Sequence, residues 1–340
     1  MTIAESPSDA HVRAMPKVEL HVHVEGAVAP ATIAELATKN GVDLGVDDPA
    51  ALYRYTGLED FLRVFDIVCR SLRDEDDVRR VTYEALGIAA AAGVRYREMF
   101  FSPTFLMRYG VAFYTIWRGV EAGIRDARTD HGIEGRMIMD VHKPAGPSAA
   151  GELLDLAAGC SREVLVGVGG DAGELGIDLA SFAPFFARAR AQGLHTTMHV
   201  GEEGPVADVA VAVDVLGVER IDHGVCLLDD PALTARVAER RIGVTACPTS
   251  NVSIGIIGSV ADHPIIRMRD AGVLVTVNSD NAEMFGVDVA DELGNVRDAF
   301  GLTTAEIEDL CLAAVDASWL DESDKRSMRT EFVLEMDRLR

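Results

Sequence analysis

The sequence predicts an α/β chain folded as a closed (β/α)8 barrel, a TIM barrel with extra helices after strand 1 and at the C-terminus. Three observations carry that prediction. Eight short apolar or β-branched runs recur along the 340 residues, segments of helical periodicity lie between them, and the runs are apolar almost throughout, as strands covered on both faces must be. Eight such units in about 280 residues match a closed barrel; six or seven would favour an open doubly wound sheet. With 48% hydrophobic and 26% charged residues the chain can bury a large core, and it is neither a disordered nor a disulfide-stapled module.

In order, the strand-like runs are Lys17 to Val24, Val94 to Phe101, Arg136 to His142, Val164 to Gly170, Leu194 to Val200, Arg220 to Val225, Ile242 to Cys247 and Val273 to Ser279. Each is bounded by turn formers or followed by a helical stretch. Helical spacing marks Asp77 to Ala91, Ala112 to Arg128, Ser181 to Gln192 and Pro231 to Arg240, several closing on a glycine suited to the C′ position. The gap from Glu25 to Gly93 is too long for one helix and is expected to hold two or three. After Gly301, LTTAEIEDLCLAAVDAS and a charged segment read as helices packed on the barrel. No internal repeat or long Pro, Gly or Ser-rich linker divides the chain, so residues 1–340 are expected to form one domain, with 1–15 a flexible tail.

Charge and cysteine content exclude several classes. Lys plus Arg at 32 against Asp plus Glu at 55 gives a net charge of −23, a surface that repels a phosphate backbone, so no nucleic-acid partner is expected. MTIAESPSDAHVRAM lacks the apolar stretch of a signal peptide, and nowhere do eighteen apolar residues run without charge; a soluble cytoplasmic protein with no membrane partner is expected. Five cysteines, at 69, 160, 226, 247 and 311, form no Cys-x-x-Cys pair, which argues against a thiolate metal site and suits a reducing compartment.

In such a barrel the chemistry collects at the C-terminal ends of the strands. Strand one ends LHVHVEG, where His21 and His23, two apart, point to the same side as a pair of ligands on one metal must. Strand five ends MHVGEEG and offers His199 and Glu202; strand six ends RIDHG and offers Asp222 and His223; strand eight ends VNSDN and offers Ser279, Asp280 and Asn281. Any one of these also occurs as an ordinary hydrogen-bonded residue. Three histidines and a carboxylate on one barrel face are a donor set that Zn²⁺ prefers. Strand four, read as ending VGVGG, brings no Lys or Glu to bridge a second metal, so one metal is expected. Glu202, three residues beyond His199, is placed to transfer protons, and His223 to hold or deprotonate a water.

Taken together, MPKVELHVHVEGA, MHVGEEGP, RIDHGV, CPTSN and VTVNSDN resemble, in order and spacing, the adenosine and adenine deaminases of the amidohydrolase superfamily, over roughly Pro16 to Gly286. The resemblance implies a (β/α)8 barrel holding one zinc on His21, His23, His199 and Asp280. It implies that Glu202 protonates the purine ring, His223 orients the attacking hydroxide, and Asp280 passes a proton towards the leaving amine. It also implies a small-molecule purine as the partner; oligomeric state is not fixed.

GEEGP and RIDHGV look like the adenine branch, and Glu25, after the His-x-His pair, could fill the space that a nucleoside's ribose takes. Adenine to hypoxanthine is therefore the expected reaction, with adenosine or a modified 6-aminopurine the alternative. The family's Ser-Asp-Asp is Ser279-Asp280-Asn281 here; an amide can donate N–H to purine N7 but does not titrate. The loop Gly170 to Glu174 is expected to meet the purine edge through its backbone. FFSPTFLMRYG departs from the family's wording, so the pocket wall after strand two is expected to differ. A two-metal phosphoesterase and a non-catalytic nucleoside-binding scaffold are the competing readings. Of the remaining histidines, His142 reads as structural, His195 as core, and His11, His131 and His263 as loop or tail residues; Cys247 reads as a buried thiol.

Overall fold

Every expected run becomes a strand. The computed structural model describes residues 6–54 and 56–340, and in it β1 is Lys17–Glu19, β2 Val94–Phe101, β3 Glu134–His142, β4 Leu165–Asp171, β5 His195–Val200, β6 Arg220–His223, β7 Gly243–Ala246 and β8 Leu274–Val277. They pair in sequence order, each parallel to the next. Parallel neighbours need crossover connections, and the helices between them supply these while covering the outer face.

The barrel closes between β1 and β8 by one bridge instead of a full ladder: Val22 bridges Asp280, with His23 N donating to Asp280 O at 2.8 Å and Asp280 N to His21 O at 3.1 Å, while on the other side His23 bridges Phe100 of β2. β1 is shorter than the expected Lys17 to Val24 because the Asn278 side chain enters the seam, its Oδ1 accepting from Leu20 N at 2.9 Å. The two histidines of this segment expected as ligands, His21 and His23, thus sit just past the strand, on backbone tied to β2 and β8.

Three α-helices, Pro30–Asn40, Gly57–Ser71 and Glu75–Ala91, fill the long gap after β1 among the described residues. The last begins two residues before the expected Asp77, because Asp74 and Asp77 form a reciprocal capping box that starts it earlier. Residues 1–5 lie outside the described residues, but the rest of the stretch expected to be a flexible tail is folded. Asp9–Ala14 is a helix whose Val12 is buried, and Arg297 donates to Pro7 O and Asp9 Oδ1.

The barrel's N-terminal mouth is plugged. Arg220, the first residue of β6, pairs with Glu98 Oε2 at 2.6 Å and lies 3.8 Å from the ring of Trp319, whose backbone N donates to Glu98 Oε1. Trp319 comes from the segment after helix Thr304–Ala317, so the C-terminal addition seals this end. His195 also belongs here and corrects the expectation of a core residue: 39% of its side chain is exposed, its ring stacks on Trp319, and its Nδ1 lies 2.6 Å from Glu219 Oε2. Parity gave its face, but as the first residue of β5 it stands at the rim. Among the described residues no helix is long and apolar enough to cross a membrane.

Candidate active site

The open, C-terminal mouth holds a cavity. Its floor is polar: His23, His199, Glu202, His223, Ser250, Asp280 and Asn281. Phe61, Leu62 and Phe65 of helix Gly57–Ser71, with Phe105, Ile254 and Phe285, form an apolar wall. Phe61 stacks on Phe285 and Phe65 meets Phe105 edge-on. A flat heteroaromatic ligand suits such a cavity, apolar on its faces and polar along one edge.

Strand ends aim these side chains, and the backbone there is strained. Of the four non-glycine residues with positive φ among those described, Ala172, His223 and Asp280 follow or end β4, β6 and β8 at this mouth. Each such conformation costs about 1–3 kcal/mol, which the surrounding barrel must sustain to point His223 and Asp280 inward.

The expected metal ligands converge. His23 Nε2 lies 3.1 Å from His199 Nε2, and Asp280 Oδ1 lies 3.5 Å from Nε2 of both His21 and His23. Donors about 2.05 Å from a tetrahedral ion stand about 3.3 Å apart, so these separations fit donors around one ion better than they fit hydrogen bonds. His21 Nε2 is buried with no hydrogen-bond partner. Its other nitrogen settles the tautomer: Thr245 Oγ1 gives its proton to Asp222 Oδ1 at 2.8 Å and so accepts from His21 Nδ1 at 3.0 Å, leaving the Nε2 lone pair directed at the centre. Asp222, held also by Thr197 Oγ1 at 2.6 Å, stands 3.7 Å from Nδ1 of both His21 and His199, and Asp140 stands 3.9 Å from His23 Nδ1. Burial pushes His23 down to about 4 and His199 well below its usual range, so both are neutral, as ligands must be. Burial opposes ionisation of Asp280, yet His21, His223 and His23 hold its carboxyl far below the carboxylate range. This donor set suits a divalent metal ion.

Glu202 faces the same centre from the loop after β5. Burial, reinforced by Asp280 and Glu174 and opposed by His223, raises its carboxyl to about 7. Asn251 Nδ2 donates to Glu202 Oε1 at 2.6 Å, and His223 Nδ1 lies 3.4 Å from the same oxygen. For His223 burial is outweighed by Glu202, Asp280 and Asp222, which raise its pKa. The site thus has a carboxyl that carries a proton near neutrality beside a carboxylate that does not, the division an acid and a base require.

Three expected substrate contacts are placed differently from one another. Asn281 lines the cavity; its Nδ2 donates to Asp280 Oδ1 at 2.7 Å, and only a glycine at 26 leaves it room, since a Cβ there would lie 1.9 Å from Asn281 Oδ1. Glu25 is buried behind the cavity, taking Ser102 N on Oε1 at 2.8 Å, and burial raises it to about 8. Gly170 is inside β4, packed towards Met198, while Asp171 to Glu174 reach the cavity. β4 in fact runs one residue beyond the expected VGVGG and ends on Asp171, whose Oδ2 accepts from Ser102 Oγ at 2.5 Å. Asp171 joins none of the groups of close metal-binding side chains found among the described residues.

Sequence reasoning assigned no role to Asn251, Ser250 or the Glu174 side chain. Ser250 Oγ donates to Asp280 Oδ2 at 2.5 Å. The first two lie in CPTSN at the tip of β7, where the strand-end rule would have pointed; Glu174 had no such signal. His142, at the end of β3, meets Phe105 edge-on. His263, read as a loop or tail residue, is buried and accepts from Ile265 N on Nδ1 at 3.1 Å. Cys247 is fully buried, and burial pushes its thiol well up, which disfavours the thiolate a metal or a nucleophile needs.

Comparison with known proteins agrees with this geometry. A family model described as Adenosine deaminase matches residues 16–334. The adenine deaminase of Streptomyces coelicolor is 38% identical over 337 residues, covering 98% of each chain. The crystal structure of adenine deaminase from Arthrobacter aurescens superposes with a TM-score of 0.90 at 32% identity, covering 94% of this chain and 98% of that one. An amidohydrolase from Burkholderia ambifaria, crystallised with bound zinc, gives a TM-score of 0.92 at 33% identity over 99% and 95%.

Proposed function

The chain belongs to the adenosine deaminase family, and from that premise we propose that it hydrolyses adenine to hypoxanthine and ammonia. The observation that carries this reading is Glu202, raised to about 7, lining a cavity with His23, His199 and Asp280, behind which the buried His21 completes the donor set. Relatives named adenine deaminase, one of them matching 98% of the chain, support the choice of base. We assign the metal as zinc, one per chain, on the three-imidazole, one-carboxylate donor set and on the zinc-bound relative. Bound there, zinc would lower the pKa of water from about 16 towards about 7 and make hydroxide available at neutral pH.

The chain's own residues then carry the protons. Addition of oxygen at C6 makes that carbon tetrahedral and pushes an electron pair onto N1, and the Glu202 carboxyl, steadied by Asn251, gives N1 the proton that neutralises it. Asp280, ionised and facing the same point, takes one proton from the attacking water and delivers it to the 6-amino nitrogen. His223 orients the incoming oxygen. As the C6–N bond breaks and ammonia leaves, the remaining oxygen proton returns to Glu202. The second N–H of Asn281, not used on Asp280, is available to purine N7. The small-molecule purine is the only partner this scheme needs, residues 1–340 act as one catalytic domain, and a cytoplasmic location fits cysteines that are all unpaired.

Purified metal-replete protein incubated with adenine and, separately, adenosine tests the proposal. Loss of the adenine absorbance band with hypoxanthine and ammonia in equal amounts is expected; turnover of adenosine with none of adenine would replace the base by the nucleoside.

A further inference from the structure

The loop that carries Glu202 is held by one buried carboxylate. Glu174, in the loop after β4 and 3% exposed, accepts four consecutive backbone N–H groups: Gly201 at 2.7 Å and Gly204 at 3.3 Å on Oε2, Glu202 at 2.9 Å and Glu203 at 3.2 Å on Oε1. Successive amides turned towards one anion form a concave nest, and each charge-assisted bond is stronger than a neutral one.

The spelling Gly-Glu-Glu-Gly follows from this. Gly201 has φ +75°, and a Cβ there would meet Val209 Cγ2 at 2.6 Å; a Cβ on Gly204 would lie 2.5 Å from Glu174 Oε2 itself. Both glycines let the backbone wrap the carboxylate. Without that anion, four buried or half-buried amides would lose their partner together and the loop would have other conformations open to it.

We propose that Glu174 is a positioning residue: by fixing the backbone of Gly201 to Gly204 it sets where the Glu202 side chain meets the purine. It rests on the reading of Glu202 as the proton donor. Glu174 also sits among the negative groups that raise the Glu202 carboxyl, which acts in the same direction.

Glu174→Gln keeps the shape but turns one oxygen into an amide facing two N–H donors, removing two of the four bonds. A misplacement on the 1 Å scale costs about 100-fold in rate, so kcat is expected to fall by about that factor with KM and bound zinc little changed. The decisive test is a cycle with Glu202→Gln. If Glu174 acts through Glu202, adding Glu174→Gln to Glu202→Gln lowers residual kcat by no more than about twofold. Wild-type kcat in Glu174→Gln, or the full loss repeated in the double variant, would overturn the proposal while leaving the role of Glu202 intact. Full activity in Glu202→Gln would overturn both. Should Glu174→Gln not fold, Gly204→Ala, which presses on Oε2 and removes no site side chain, enters the same cycle with the same expectation.

Discussion

Glu202→Gln removes one proton from the site and almost nothing else. The amide has the carboxyl's shape, its oxygen can still accept from Asn251 Nδ2, now 2.6 Å from Oε1, and its NH2 then faces the cavity, where it can donate a hydrogen bond but not transfer a proton. General acid catalysis contributes about 10²–10⁴ in rate, or about 2.7–5.5 kcal/mol of barrier at 1.36 kcal/mol per tenfold. The variant's kcat on adenine should fall by that factor while its melting temperature and zinc content stay near wild type. The pH profile supplies the second half of the test. With the carboxyl raised to about 7, the competent protonated form is full below that pH and is lost as pH rises, so wild-type kcat/KM should decline tenfold per unit on the alkaline side. Glutamine does not titrate, and the residual activity of the variant should lack that limb. A variant within threefold of wild type, or one that keeps the same alkaline limb, would refute the assignment of the proton donor.

Other substitutions test the scaffold behind the chemistry. Glu25, buried and raised to about 8, binds its proton in the folded chain across a range in which the unfolded chain, near the ordinary 4.5 of a glutamate, has lost it; stability contributed here falls as pH rises from 4.5 to 8. Glu25→Gln should therefore raise the denaturation midpoint at pH 8 and give no advantage below pH 4.5, and an unchanged difference across that range would contradict it. Gly26→Ala would place a Cβ 1.9 Å from Asn281 Oδ1 and break its bond to Asp280; a loss of about 1–3 kcal/mol from overpacking and a raised KM for adenine are expected by denaturation and steady-state kinetics. Arg97 donates to Glu19 at 2.7 and 2.8 Å with both side chains buried, and Glu19 Oε1 in turn holds Ser279 beside Asp280, the proposed carboxylate ligand. Arg97→Met should cost about 3–5 kcal/mol in denaturant unfolding by leaving a buried charge unpaired.

The parts legible in the sequence are those set by local periodicity. A parallel barrel strand is apolar throughout and ends where polar residues begin, so His21, His23, His199, His223 and Asp280 could be read from strand ends alone, and the structure brings them to one mouth. Boundaries are less legible: the apolar and glycine run VGVGG puts the tip of β4 at Gly170, yet the ladder continues to Asp171 opposite His142. His195 shares parity with His199, but parity fixes a face and not the solvent exposure at its end. Asn251 and Glu174 act through contacts 49 and 27 to 30 residues away in sequence, which periodicity does not encode. The aromatic wall of Phe61 and Phe65 came from the long insertion after β1, where helices were expected but their docking onto the mouth depended on the folded barrel.

We propose that adenine is hydrolysed at a single metal centre made by His21, His23, His199 and Asp280. Titrating zinc into chelator-treated protein while following adenine turnover tests it most directly. Activity should rise from near zero in proportion to added zinc and level at one equivalent per chain, and His21→Ala should bind zinc weakly and show no such rise. Turnover that is independent of metal, or that needs two equivalents, would contradict the account.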